Sequence, residues 1–356
     1  MRNRWRIRVE LWLMAASVIG LAGCSVAPSS NSVNPPQGNA TPATVAYVNA
    51  SLLDPSGLPE LQGYSTVVGD KGASAGTLQL PASPLYYGGP MATDPSGQIY
   101  VAEAANGSNQ ARQILVYAAG STGTATPSRA IQLPSTNPIP ANRIAVDPTG
   151  RVYVLNLGKI GTSTTIDIYA ANATGAPTPT RTLQLTNVLP PVADIVADAA
   201  GNVYCACFFE GQWTVAVYSA SASGASMPSR TINFGTSFLY GVGVDTAGDV
   251  FVNVCNGCNT SANEIEEFSP GASGTPTPTR TINLSAPSGL YVSGGGPVRI
   301  DGAGNIFTSL VLFSHQDPIY RSIPIYGFDP SASGSAAPSV QITPLNGGYN
   351  TFFALN

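Results

Sequence analysis

The side chains best placed to do chemistry are three charged residues at matching positions of an internal repeat. Arg299 lies two residues before a recurrent turn Asp, where other copies have Ala, Val or Gly, and Arg143 and Asp194 lie four residues before theirs. Residues two apart in a strand point to the same side, so the three are expected to meet in a central channel. There they could hold a carboxylate, a sugar or a phosphate. The alternative, which we favour on the sequence alone, is a water-filled channel with a structural ion pair.

Catalytic patterns are scarce. The single histidine, His315, lies in a long loop, which excludes a multi-His metal centre and is more typical of a solvated residue than of a general base. The chain contains no Gly-x-Ser-x-Gly elbow, no phosphate-binding loop and no His-Glu-x-x-His pattern. We therefore assign no catalytic residue, no metal and no cofactor, and we group His315 with Arg143, Asp194 and Arg299 as candidate ligand-binding residues.

These residues are positioned by a repeat of about fifty residues. Five Asp-x-x-Gly turns open apolar strands at 94–97, 147–150, 198–201, 245–248 and 301–304. After each turn come an aromatic residue, a Gly six residues later and, six further on, an Arg that is Ser in the last copy. Such turns join antiparallel strands. Short strands at this period indicate propeller blades, each with four strands named A to D in chain order, and the Asp-x-x-Gly turn joins strands A and B.

The ends of the chain supply the sixth blade. Residues 44–48, 64 and 76–80 match strands B, C and D, whereas residues 351–356 match strand A. We therefore predict an all-β, six-bladed propeller of four-stranded antiparallel blades over residues 44–356, closed by pairing of the N- and C-terminal segments. Closure removes the exposed edges of the ring.

Loop lengths separate the two faces of the predicted ring. Antiparallel order places the A–B turns and C–D hairpins on one face, and the B–C and D–A loops on the other. Spacings within the C–D hairpins are constant, but the B–C loops vary, at 106–112, 159–164, 208–213, 256–264 and 313–321. Variable loops carry function more often than repeated strands, so we expect any ligand on the B–C face. The repeated Arg residues are interpreted as structural, stacked on an aromatic ring.

The N-terminal segment is of a different kind. Arg2, Arg4, Arg6 and Arg8 precede a short apolar run at 11–21 and Leu-Ala-Gly-Cys24, a pattern that resembles the lipobox of bacterial lipoproteins. The resemblance implies a signal peptide over residues 1–23, lipid on Cys24 and attachment to the cell envelope, with the outer membrane as the expected site because Ser25 is not Asp. Residues 24–43 are predicted to be a flexible Ser/Pro/Asn tether.

From residue 24 onward the chain has 11 basic and 18 acidic residues, and its lysines are Lys71 and Lys159. This charge pattern excludes the basic surface that nucleic-acid binding requires. In an oxidising compartment Cys205, Cys207, Cys255 and Cys258 are disulfide candidates with three possible connectivities, and a bond between neighbouring blades is expected. A redox or zinc role for Cys255-x-x-Cys258 is the alternative.

The Asp-x-x-Gly-Asn-Val-Tyr pattern of residues 198–204 resembles NHL-type and the related SBBP bacterial propeller repeats over residues 44–356. The resemblance implies the fold and leaves two functions open. The first is a lipid-anchored, monomeric, non-enzymatic scaffold that binds a protein or a polysaccharide through the B–C face. The second is a lactonase-like hydrolase or lyase with Asp194, Arg299 and His315 in the channel.

Overall fold

The structure is a computed structural model. It describes residues 45–49, 60–67, 73–80, 90–104, 111–134, 139–158, 163–256, 263–314, 321–343 and 353–355. All of the regular secondary structure in these ranges is β-strand. Cys24, Cys258 and His315 lie outside the described residues. Residues 42–356 form one compact unit.

Six antiparallel sheets follow one another along the chain. The closing blade has strands B to D in β1 (Val45–Asn49), β2 (Glu60–Ser65) and β3 (Ser74–Gln79). Blade 1 contains β4 (Met91–Thr93), β5 (Ile99–Ala104), β6 (Ala111–Tyr117) and β7 (Arg129–Gln132). Blade 2 contains β8 (Ile139–Val146), β9 (Val152–Leu157), β10 (Thr164–Tyr169) and β11 (Arg181–Leu185).

Blade 3 contains β12 (Val188–Ala197), β13 (Val203–Phe209), β14 (Gln212–Tyr218) and β16 (Arg230–Gly235), with the short β15 (Gly224–Ser226) in its C–D hairpin. Blade 4 contains β17 (Phe238–Val244), β18 (Val250–Cys255), β19 (Asn263–Phe268) and β20 (Arg280–Leu284). Blade 5 contains β21 (Leu290–Ile300), β22 (Ile306–Ser314), β23 (Arg321–Ser322), β24 (Ile325–Phe328) and β25 (Val340–Ile342). Strand A of the closing blade is β26 (Phe353–Leu355).

The predicted six-bladed propeller and its closure are confirmed. β26 pairs antiparallel with β1, with Ala46 opposite Leu355 and Tyr47 opposite Ala354. Phe353 is buried in the core between the closing blade and blade 5. The two ends of the chain therefore form one sheet, and the innermost strands of neighbouring blades contact one another around the ring.

The repeated Asp residues shape the A–B turns as expected. In blade 2, Asp147 Oδ1 accepts hydrogen bonds from the backbone N–H groups of Thr149 and Arg151 at 2.9 and 3.1 Å. Its other oxygen accepts from the hydroxyl of Tyr153, the aromatic residue of the following strand, at 2.9 Å. The buried carboxylate thus fixes the turn and the first residues of strand B together.

The tips of the C–D hairpins take part in strand pairing, which the repeat pattern alone did not predict. The Gly that lies six residues after each repeated aromatic residue pairs in parallel with strand D of the preceding blade. These residues are Gly123, Gly175, Gly224, Gly274 and Gly334. In one such bridge the Gly274 N–H donates to Thr231 O and Asn233 N–H donates to Gly274 O, both at 2.7 Å. These bridges join neighbouring blades at the outer rim.

The repeated Arg residues strengthen the same junctions. Arg230 lies over the ring of Tyr204, 5.7 Å from its centroid, and donates to Ala272 O of the next blade at 2.6 Å. Arg129 makes the matching contacts with Tyr100 and Ala173 O. The structural interpretation of these residues is confirmed, with the addition that each one reaches into the following blade.

Candidate functional site

The inner strands of blades 2 to 5 are irregular near the B–C face. Register shifts occur between Ile139 and Arg143 in β8, twice between Leu189 and Asp194 in β12, between Leu239 and Gly241 in β17 and twice between Val292 and Val298 in β21. A bulge bends its strand and turns the adjacent side chains to new directions, and bulges are frequent beside binding sites. The described inner strands of blade 1 and the closing blade are three residues long and pair regularly.

The structure brings Asp194 and Arg299 together. The two guanidinium Nη atoms of Arg299 donate to the two carboxylate oxygens of Asp194 at 2.8 and 3.2 Å. Asp194 is 2% exposed and also accepts from the backbone N–H of Val242 at 3.3 Å. Because these residues belong to blades 3, 5 and 4, the ion pair connects three inner strands. A bidentate geometry of this kind is both strong and orientation-specific.

Arg143 joins this group from blade 2. Its Nε donates to the backbone oxygen of Ala193 at 2.8 Å, next to Asp194. Burial lowers the pKa of Arg143; the nearby Arg299 charge lowers it further and the Asp194 charge raises it. The three charged residues predicted to meet are therefore close enough to influence one another.

Three aromatic rings lie beside the charged group. The rings of Trp213 and Phe238 have centroids 4.3 Å apart at 53°, and those of Phe238 and Tyr240 are 5.1 Å apart at 48°. Phe208 meets Trp213 edge to face at 6.0 Å. These residues come from the B–C loop ends of blade 3 and from the start of the inner strand of blade 4. They form a continuous aromatic wall, for which tilted and edge-on contacts are favourable.

A glycine-rich segment of blade 5 completes the opposite side. Asn253, on strand B of blade 4, donates to Thr308 Oγ1 at 2.9 Å and to Gly296 O at 3.3 Å. A Cβ atom at Gly295 would lie 2.5 Å from the Asn253 amide nitrogen, so only glycine allows this approach. The fully buried Asn253 thus positions the bulged segment 294–297 by hydrogen bonding.

Together these groups enclose a cavity of about 180 Å³ on the B–C face. Its walls are Arg143, Pro191, Val192, Ala193, Asp194, Trp213, Phe238, Leu239, Tyr240, Gly295 and Pro297. Of the predicted ligand-binding residues, Arg143 and Asp194 line the cavity, whereas Arg299 is not among its walls. The sequence-based expectation also included the loop that ends at Trp213, but it missed Phe238, Tyr240 and the glycine-rich wall. The available signals were the aromatic residues at the start of one strand A and three consecutive glycines in another.

The three described cysteines do not form the expected disulfide between neighbouring blades. Cys205 and Cys207 are buried free thiols on one side of β13, packed against blade 2. Residues 250, 252 and 254 of β18 face blade 3, whereas Cys255 has the opposite parity in that strand. Among the described cysteines, no disulfide joins Cys255 to Cys205 or Cys207. Any bond that involves Cys258 stays a prediction.

Among the described residues, the His, Cys, Asp and Glu side chains form no group of three or more suited to hold a metal ion. Over the same ranges, no helix has the length and apolar character that a membrane span requires. His315 lies outside these ranges.

Comparison with known proteins identifies similar folds. No protein-family model matches the chain, and no curated protein sequence matches it. Among solved structures, a luciferin-regenerating enzyme is 13% identical, with a TM-score of 0.49, and the match covers 84% of this chain and 91% of the enzyme. A protein from Lactobacillus plantarum is also 13% identical, with a TM-score of 0.48 and coverage of 88% and 99%. At these TM-scores neither likeness carries an argument about this chain.

Proposed function

We propose that this chain is a lipid-anchored, extracytoplasmic binding scaffold whose propeller binds a protein or polysaccharide ligand on the B–C face. The observation that supports it is the cavity between Arg143, Asp194 and the rings of Trp213, Phe238 and Tyr240. Apolar, aromatic walls with a few converging polar groups are typical of ligand sites. Binding sites in repeat rings form where the copies differ, and these residues differ between the blades.

The anchor belongs to the same proposal. Residues 1–23 would direct export, Cys24 would carry the lipid, and residues 24–43 would hold the ring away from the bilayer of the cell envelope. Cys24→Ser is expected to release the protein from membranes. Intact-mass measurement of the membrane-bound parent should show the added acyl mass, and its absence would refute the anchor while leaving the binding proposal standing.

The hydrolase or lyase alternative has less support from the geometry. It would rely on Asp194, Arg299 and His315. The carboxylate oxygens of Asp194 accept hydrogen bonds from Arg299, from the Val242 N–H and from the N–H of Ile195. A carboxylate held by these contacts has a structural role, so we place the binding proposal first.

The test is a glycan and peptide array probed with the full-length chain in detergent. Two exposed apolar residues offer a matched pair of variants: Leu189, 59% exposed beside Phe208, and Met227, 52% exposed in a C–D hairpin on the opposite face. Leu189→Ser should weaken capture by up to about tenfold, because the ligand covers the B–C face, and Met227→Ser should leave it unchanged.

Equal loss in both variants, or loss with Met227→Ser alone, would overturn the assignment of the binding face. Conversion of a captured ligand into product, followed by mass spectrometry, would favour the hydrolase or lyase alternative instead.

A further inference from the structure

We propose that the cavity binds an acidic sugar unit of a polysaccharide, a hexuronate whose ring lies against Trp213, Phe238 and Tyr240 and whose carboxylate is bound by Arg143. This inference rests on the proposed function and specifies the ligand of that same site.

The size of the cavity favours a single six-membered ring. An engineered cavity of about 150 Å³ in another protein accommodates benzene, whereas sites for drug-sized molecules measure roughly 300–1,000 Å³. At about 180 Å³, this cavity accepts one ring-sized unit. A longer ligand would continue beyond it across the B–C face, where Leu189 and Phe208 lie side by side on adjacent strands.

The arrangement of the rings favours a puckered ligand over a flat one. A flat aromatic ligand stacks best in an offset parallel arrangement on a partner ring. Here the neighbouring rings are inclined by 53° and 48° and all line the cavity, so they present no single flat face to a ligand. The C–H groups of a pyranose project at different angles from its ring and can contact several inclined rings at once.

The charges favour a carboxylate on that ring. The planar guanidinium of Arg143 is matched in shape to a carboxylate, and it lines the cavity next to the aromatic wall. Asp194 would repel an anion, but its charge is compensated by Arg299 at 2.8 Å. Burial disfavours the charged form of Arg143, and an incoming carboxylate would favour that form. A neutral sugar would lack this contribution.

The chain contains a built-in reporter for the test. From residue 24 onward Trp213 is the only tryptophan, since the other two are Trp5 and Trp12. In a full-length chain with Trp5→Phe and Trp12→Phe, the tryptophan emission therefore comes from the cavity wall alone. The probes are trigalacturonate and the α-1,4-linked galactotriose, which differ in having a carboxylate or a hydroxymethyl group at C6.

We expect trigalacturonate to change the emission of Trp213 and to bind at least roughly tenfold more tightly than galactotriose. Arg143→Gln should remove this preference, with Arg143→Lys intermediate because Lys keeps the charge without the planar fork. Tyr240→Ala should weaken both trisaccharides to a similar extent. Melting temperatures of the variants show whether the fold is retained, since Arg143 also bonds to Ala193.

Equal affinity for the two trisaccharides, or a preference that survives both Arg143 substitutions, would overturn the assignment of the carboxylate to Arg143. If neither probe alters the emission while the array shows capture of another ligand, the hexuronate is wrong and the binding function stands. If the array shows no capture at all, the proposed function itself fails.

Discussion

The two faces of the ring are built on different principles. On the face of the A–B turns and C–D hairpins, the same contacts recur from blade to blade: an Asp carboxylate accepts from two backbone N–H groups of its turn, and an Arg reaches the next hairpin. On the B–C face, in the part of the chain that the structure describes, the bulged inner strands, the aromatic wall and the Asp194–Arg299 pair lie in blades 2 to 5.

This difference assigns separate roles to the two faces. A contact that is repeated in most blades contributes to the stability of every junction, and a change in any copy acts on the ring in the same way. A contact made once can shape a specific site without a matching change elsewhere. Variants on the turn face should therefore alter stability and spare binding, and variants of the exposed residues and cavity walls on the B–C face should do the reverse.

The largest effect should come from opening the ring. Truncation after Asn350 removes β26, including the buried Phe353 and its pairing with β1. We expect a loss of unfolding free energy on the order of 5 kcal/mol, from lost apolar burial and newly unpaired strand edges. Thermal unfolding measures it, with deletion of Asn356 alone as the control. An unchanged melting temperature would disprove closure by this strand.

A buried carboxyl of blade 1 should have the next largest effect. Glu103 is 3% exposed, one of its oxygens has no hydrogen-bond partner among the described residues, and burial raises its pKa to about 7. Because burial disfavours ionisation of Glu103 in the folded state, the free energy of unfolding is higher at pH 4.5 and falls as the pH rises through about 7. Glu103→Gln should therefore stabilise the ring above pH 7, by at most about 3 kcal/mol, and have little effect near pH 4.5.

Melting curves of the parent and of Glu103→Gln at both pH values test this prediction. Glu210→Gln, at an exposed turn of blade 3, is the matched control and should show no such pH dependence. A stabilisation by Glu103→Gln that is the same at both pH values would refute the assigned ionisation. The equivalent positions in the other blades are Asn156, Cys207, Val254 and Leu310, so this site too varies on the B–C side.

The Arg junctions provide a test of the turn face. Arg230→Gln removes a 2.6 Å bond to Ala272 O and the contact with the Tyr204 ring. We expect a loss of about 1–3 kcal/mol in the free energy of unfolding, with unchanged ligand capture by the folded protein. Met227→Ser, in the same hairpin, serves as the control for surface effects. Reduced capture at unchanged stability would contradict the division between the faces.

The smallest effect is expected at the hairpin glycines. Gly274 has φ of +74°, and a Cβ atom there would meet no atom within 4 Å. Gly274→Ala should therefore cost only backbone strain, about 1 kcal/mol, and Gly274→Asn should cost less because Asn tolerates this conformation. Urea unfolding can resolve the two variants. A larger cost for Asn than for Ala would show that packing, and not the backbone angle, requires glycine.

Local rules explain how much of the fold could be predicted. The hydrogen bonds of Asp147 and its equivalents in the turns involve residues of one blade, so they could be predicted from the repeat. The alternation of side chains along the inner strands was sufficient to predict that Asp194 lies close to Arg299. The same alternation fails where a strand is bulged, which is why the aromatic wall at Phe238 and Tyr240 was missed. The glycine bridges were missed because they pair residues of different blades about forty to fifty residues apart.

Parity within the strands also explains the outcome for the cysteines. Cys205 and Cys207 lie seven and nine residues after their turn Asp198, whereas Cys255 lies ten residues after Asp245. Odd and even positions of strand B face opposite neighbours. In blade 3 the odd positions face blade 2, so the pair points away from blade 4. The parity of these cysteines can be read from the sequence. It argues against a bond between Cys255 and Cys205 or Cys207 only when it is known which neighbouring blade the odd positions of strand B face.

The glycine bridges described at the rim also bear on how the protein behaves in concentrated solution. Strand D of a blade has an outer edge of backbone donors and acceptors that could template the addition of a strand from another molecule. In five blades, the hairpin of the following blade occupies part of that edge, as Gly175 does for Ala130 and Gln132. At high concentration the protein is thereby protected from edge-to-edge self-association along these edges.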